Sequence, residues 1–176
     1  MTSLDGMRVA SEESGAVDVG QSAEAPHGSG AVAALPAVAV IHAGLSDTPL
    51  DTQALVDLVR RADSGAIVVF EGTVRSPNHG HEVEALVYEA WLEKVPEQLH
   101  QIASEVAATY GLRGSVAVHR VGRVGVGEPA VVVVAVAVHR GAAFRGAEEL
   151  INRVKSEAWI WKKEIRSNGE VWIEGC

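Results

Sequence analysis

Apolar positions along this chain recur with two periods, and the alternation between them marks out the elements. "PAVAVIHAG" predicts a short strand over residues 37–43. In "SDTPLDTQALVDLVRRAD", Leu55, Leu58 and Val59 fall at helical spacing, with Ser46, Asp47 and Thr48 as capping candidates and Gly65 as the stop. "AIVVFEGTVR" is a β-rich run reaching Arg75, "SPNHGHE" a polar turn-rich loop, and "VEALVYEAW" an alternating strand that returns. These two strands are expected to pair as an antiparallel hairpin.

"EKVPEQLHQIASEVAATYG" places Leu99, Ile102, Val106 and Tyr110 on one helical face and stops at Gly111. "SVAVHRVG" and "AVVVVAVAVHR" are two more strands, joined by the Gly-rich "RVGVGEP". The second is apolar from Ala130 to Val138, so it belongs at the centre of a sheet with both faces covered. "GAAFRGAEELINRVKSEA" reads as an amphipathic helix with Phe144, Ala147, Leu150, Ile151 and Val154 inward. "WIWKKEIRSNGEVWIEG" closes the pattern as a hairpin turned by Asn168-Gly169. Helices and mostly antiparallel strands intermix, so the class is α+β, a single domain with a mixed sheet and packed helices.

The first 34 residues break this pattern. They are rich in Gly, Ala, Ser and acids, with too few large side chains to offset ordering entropy. Residues 1–34 are therefore expected to be a disordered extension, and residues 35–176 the domain. Five acids against Arg8 in the first 30 residues also account for much of the formal charge of −8. That charge argues against a general nucleic-acid binder, while the remainder is close enough to neutral to hold local basic pockets. The longest apolar run is too short to span a bilayer. The N-terminus lacks a basic segment followed by an apolar one, and the one cysteine, Cys176, leaves no internal disulfide. Together these features predict a cytoplasmic location.

Candidate chemistry lies at four places. His139 and Arg140 stand where the apolar strand opens into a helix; they mark either a strand leaving the core or an anion site at a helix start. Arg75 ends another strand, where a guanidinium can grip a phosphate or carboxylate through two bonds. His79-Gly80-His81 has two imidazoles but too few companion ligands for a metal site, so a solvated loop is expected. His119 reads as a sheet histidine. "VKSEAWIWKKEIR", residues 154–166, sets Lys155 and Lys162 seven positions apart around two tryptophans. A lysine becomes a nucleophile or proton shuttle when burial or a second cation lowers its pKa. Spacing alone favours two solvated cations; a chain that folds back would bring them to one pocket.

The strings "GAIVVFEGTVR", "VHRVGRVGVGE", "AVHRGAAF" and "VKSEAWIWKKE", in this order, resemble the MoaE family, the large catalytic subunits of molybdopterin synthase. The resemblance runs from about residue 37 to Ile173. It implies an α/β-hammerhead type of α+β fold and a sulfurtransferase of molybdenum cofactor biosynthesis that needs no cofactor or metal of its own. The implied partner is a MoaD-like ubiquitin-fold subunit carrying a thiocarboxylate on its C-terminal glycine. The implied substrate is cyclic pyranopterin monophosphate, which becomes the dithiolene of molybdopterin. The implied assembly is a homodimer within a heterotetramer. Carried over by motif, Lys155 and Lys162 are the catalytic lysines. Arg75, His139, Arg140 and Phe70 are the substrate-binding positions. Family members often place a basic residue after the "W-x-E" strand, where this chain has Gly175 and Cys176. Two other readings remain: a non-catalytic docking module for a ubiquitin-like protein, and a Schiff-base lyase using the same lysines.

Overall fold

The computed structural model describes residues 39–78, 80–167 and 169–173. The N-terminal extension, His79, Asn168 and residues 174–176 lie outside the described residues. In chain order the elements are β1 (Val40–Ser46), α1 (Thr52–Val59), β2 (Ala66–Thr73), β3 (Ala85–Ala90), α2 (Val95–Tyr110), β4 (Gly114–Arg120), β5 (Gly122–Gly125), β6 (Pro129–Ala137), α3 (Arg140–Glu157), β7 (Ile160–Arg166) and β8 (Gly169–Ile173).

A strand made of valine and alanine has no polar face to turn outward, and β6 is buried on both sides. Val131, Val133, Ala135 and Ala137 belong to the cluster formed with α2 and α3. Val132, Val134 and Val136, one residue out of phase, pack against Val56 and Val59 of α1. β6 therefore sits inside a four-stranded sheet of order β1-β4-β6-β2, with β4 and β2 antiparallel to it and β1 parallel to β4. The central position expected for the apolar strand is the observed one.

The remaining strands make a second sheet, β5-β3-β7-β8, antiparallel throughout. This corrects the expected hairpin: β2 and β3 do not pair. β2 is taken by β6 over its whole length. The connection over residues 74–84 carries the chain across to the second sheet, where β3 lies between β5 and β7. β5 starts at the last residue of one expected strand and takes in the first half of the stretch expected to be only a Gly-rich connection. The closing hairpin forms as expected, with Arg166 opposite Gly169.

Helix boundaries follow local chemistry. α2 stops at Gly111, whose φ of 61° is left-handed and whose N–H bonds the Ala107 carbonyl. α1 begins later than its sequence suggested: Asp51, not Ser46 to Thr48, is the cap, accepting from the Ala54 N–H at 3.0 Å. Ser46 is instead the last residue of β1, opposite Arg120. On α3, Ala143, Ala147, Leu150, Ile151 and Val154 face the core, but Phe144 is 62% exposed. Phe144 lies at the edge of the buried stripe, about 100° around from Ala143, and near the helix start, where it is left uncovered although Ile151, two turns on at almost the same angle, is buried. Among the described residues, no helix is long and apolar enough to cross a membrane.

Candidate active site

The two sheets meet along a seam, and the seam holds a cavity of about 380 Å³. Phe70 and Gly72 of β2, His119 of β4 and Val131 of β6 line it from the first sheet. Leu86 and Tyr88 of β3, with Lys162 and Glu164 of β7, line it from the second. Val154 and Lys155, at the last turn of α3, and Arg75 and Asn78, in the connection after β2, complete the wall.

Register explains the gathering. His119 faces Val131 across β4 and β6, and Gly72 faces Val131 from the other side. Tyr88 stands opposite Lys162, and Leu86 opposite Glu164. The two-residue period of a strand puts Lys162 and Glu164 on one face of β7 and turns Trp161 and Lys163 to the other. Gly72 fits the floor because a Cβ there would lie 2.5 Å from Val131 Cγ1 and 3.4 Å from a Phe70 ring carbon.

One hydrogen-bonded chain fixes one side of the cavity. Glu164 is fully buried. Its Oε1 accepts from Asn78 Nδ2, and its Oε2 accepts from both Nε and Nη2 of Arg166. Asn78 Oδ1 in turn accepts from Arg75 Nη2 at 3.4 Å. A buried carboxylate is tolerable only when donors surround it, and the one from Asn78 also ties the connection after β2 to β7.

His119 shapes the opposite side. It is 3% exposed, its Nδ1 lies 2.8 Å from the Arg120 carbonyl, and its ring meets Tyr88 edge-on at 4.8 Å. Burial pushes its pKa down to about 4, and the Lys162 charge adds to that shift, so the ring is neutral at physiological pH.

The cavity brings four of the expected site residues together: Lys155, Lys162, Arg75 and Phe70. It does not bring His139 or Arg140. Both are exposed at the start of α3, with His139 as its N-cap residue. Lys155 lies fifteen residues further along the helix, about 22 Å at 1.5 Å per residue, beyond the reach of an Arg side chain to the same small ligand. The tryptophans also fall elsewhere. Trp159 stacks on Trp91 at 5.2 Å, and Trp161 is half-exposed on the outer face. The apolar wall beside the lysines is Phe70, Leu86, Tyr88, Val131 and Val154 instead. Lys163 is held outside the cavity by Glu170 at 2.9 Å, and that pairing raises its pKa. His81 is exposed, and no cluster of metal-ligating side chains occurs among the described residues.

Asn78, His119, Tyr88 and Glu164 were not singled out as site residues from the sequence. A signal was present for Glu164, two residues beyond Lys162 and thus on the same strand face. For His119 the signal was a polar ring in an otherwise apolar strand.

This cavity presents three cationic side chains around apolar walls, which suits an anionic organic ligand whose charge changes during reaction. The family described as MoaE protein matches residues 45–157. The molybdopterin synthase catalytic subunit of Thermoplasma volcanium is 40% identical over 121 residues, covering 69% of this chain and 86% of that one. Molybdopterin synthase catalytic subunit 1 of Mycobacterium tuberculosis is 40% identical over 130 residues, covering 73% and 88%. The crystal structure of molybdopterin synthase from Staphylococcus aureus superposes with a TM-score of 0.69 at 32% identity, covering 74% of this chain and 95% of that one. With its fold, its motif order and more than half its length matched, the chain belongs to the MoaE protein family.

Proposed function

We propose that the cavity at the sheet seam is the reaction centre of a molybdopterin synthase, with this chain as its catalytic subunit. The chain is a sulfurtransferase of molybdenum cofactor biosynthesis. Its donor is a MoaD-like ubiquitin-fold subunit whose C-terminal thiocarboxylate enters the cavity. Its acceptor is cyclic pyranopterin monophosphate, and the reaction takes place in the cytoplasm.

The observation that carries this reading is the convergence of Lys155 and Lys162 on one cavity. They come from a helix end and a strand, and the fold sets them together with Arg75 and Phe70. Each transfer joins the thiocarboxylate sulfur to a carbon of the pterin side chain as the carbon–oxygen bond at that carbon breaks, the oxygen leaving on phosphate or, once protonated, as water. Water then cleaves the acyl carbon–sulfur bond, leaving the partner as a carboxylate and the sulfur on the pterin; two rounds build the dithiolene. Lys155, at the mouth, is placed to move protons and to stabilise charge on the acyl carbonyl. Lys162 and Arg75 offer standing positive charge to the anionic substrate. The cavity volume falls in the range of small-molecule sites.

His139 and Arg140 enter this scheme through a homodimer, itself part of a heterotetramer, in which they bind substrate phosphate in the neighbouring copy's cavity. Among the described residues β2 has no strand partner on its outer edge, and the exposed Val69 there, with the exposed Phe144 beside Arg140 on α3, gives apolar surface to cover.

Reconstitution tests the function. The purified chain, thiocarboxylated partner and cyclic pyranopterin monophosphate should yield molybdopterin. Partner binding without product would support the docking module. A reducible lysine–carbonyl adduct without sulfur transfer would support the lyase.

A further inference from the structure

Most polar groups on the cavity wall are already engaged. Three are cations that face the anionic ligand, and Glu164 is occupied by Asn78 and Arg166. His119 has no such role so far. It sits in β4, whose residues are all buried, yet it reaches the cavity beside Lys162. We propose that His119 is a positioning residue for Lys162, offering its Nε2 lone pair to the lysine ammonium directly or across one water. The assignment rests on the reading of this cavity as the sulfur-transfer site.

The tautomer follows from the geometry. A backbone carbonyl only accepts, so the 2.8 Å contact with Arg120 requires the proton on Nδ1. In a neutral imidazole that leaves Nε2 as an acceptor. The ring cannot easily turn away, because Tyr88 stands against it edge-on and the side chain is almost wholly buried. Tyr88 also places Lys162, its direct partner across β3 and β7, on the same side of the seam. The Lys162 charge is near enough to act on His119.

Neutrality is what makes the ring useful there. The groups lining this cavity with His119 include Lys162 and Glu164 from β7, Tyr88 from β3, Lys155 from α3, and Glu71 and Arg75 from β2 and its connection. On its own strand Arg120 is paired with Glu128 at 2.8 Å. An imidazolium would add a fourth cation and present an N–H to Lys162. The neutral ring presents a lone pair and directs the ammonium, while Lys155, exposed at the mouth, keeps its range of motion for proton transfer.

The test combines kinetics and spectroscopy on the full chain with its partner. His119→Phe keeps a ring in place but removes both nitrogens. It should lower kcat about tenfold to a hundredfold, as misplacing a charge that holds the reacting substrate does, while partner affinity stays unchanged. Adding His119→Phe to Lys162→Ala should cost nothing further, because the two act as a unit. Nitrogen-15 spectra of the wild-type chain should show the Nδ1–H tautomer through pH 5 to 8, with a shift change in Lys162→Ala. Wild-type kcat in His119→Phe, losses that multiply in the double variant, or an Nε2–H or imidazolium signal at pH 7 would overturn the proposal. The spectra decide the matter even if His119→Phe does not fold. Full turnover in Lys162→Ala would instead overturn the reading of the cavity itself.

Discussion

Replacing Glu164 by Gln changes one atom and should be felt both in stability and at the site. Three N–H donors converge on the two carboxylate oxygens: Asn78 Nδ2 on one, and Nε and Nη2 of Arg166 on the other. A glutamine offers one oxygen and one NH2 group. In either orientation, a donor of Asn78 or of Arg166 then faces a donor in a fully buried position. The loss of one charge-assisted bond and the stranding of its donor predict a cost of about 2–3 kcal/mol. A domain of this size holds roughly 5–15 kcal/mol, so the variant should fold but be weakened. With a urea slope of about 2 kcal/mol/M, the unfolding midpoint should fall by about 1 M at pH 7.5. Asn78→Ala should cost less, about 1 kcal/mol, because Arg166 keeps its partner, yet it should raise KM for the pterin by releasing Arg75. A Glu164→Gln midpoint equal to wild type would refute the reasoning, since the carboxylate would then be replaceable in place.

Lowering the pH should destabilise the protein through His119. The unfolded ring takes a proton near 6.5 and the buried ring only near 4, so the unfolded state binds more protons between those values. Stability should therefore fall by about 2 kcal/mol from pH 7.5 to 5 relative to His119→Gln at equal protein concentration, and by about 1 kcal/mol more to pH 4, levelling off about one unit lower; parallel profiles would contradict this. Gly72→Ala puts a methyl group 2.5 Å from Val131 Cγ1, and should cost about 1–3 kcal/mol in chemical denaturation and reduce turnover by distorting the cavity floor. Arg140→Ala should weaken pterin binding by about 1.5–3 kcal/mol in titrations, with partner affinity retained. If Arg140 serves the neighbouring copy, mixing Arg140→Ala chains with Lys155→Ala chains should restore about a quarter of the active sites, through mixed dimers with one intact site each. Sites built within a single chain would restore none.

What the sequence yields here and what it withholds divide along local and non-local lines. The unbroken apolar run of β6 and the 3.6-residue stripe of α3 are local patterns, and both elements sit where those patterns place them. Strand pairing is not local: β2 and β3 follow one another and carry compatible patterns, yet each finds its partners much further along the chain. The same division holds at the site. Lys155 and Lys162, singled out through motif resemblance, do line one cavity, but their neighbours Asn78 and His119 come from 86 residues before Glu164 and 43 residues before Lys162. Their roles depend on the seam between sheets, which no window of sequence contains. The separation of His139 and Arg140 from the lysines was equally hidden. It follows from the length of α3, not from the residues at either end.

The central claim is that the Lys155 amine works at the reacting carbonyl, and molybdopterin formation by Lys155 variants in single turnover tests it most directly. Lys155→Arg keeps the charge but stays protonated and is no nucleophile. The account predicts that Lys155→Arg and Lys155→Ala both fold and bind the thiocarboxylated partner, yet form product about a hundredfold or more slowly. In the wild-type chain with pterin withheld, an isopeptide between Lys155 and the partner's terminal glycine should be detectable by mass spectrometry. Near-normal product formation by Lys155→Arg would leave the amine only an electrostatic role. Full activity in Lys155→Ala would contradict the account.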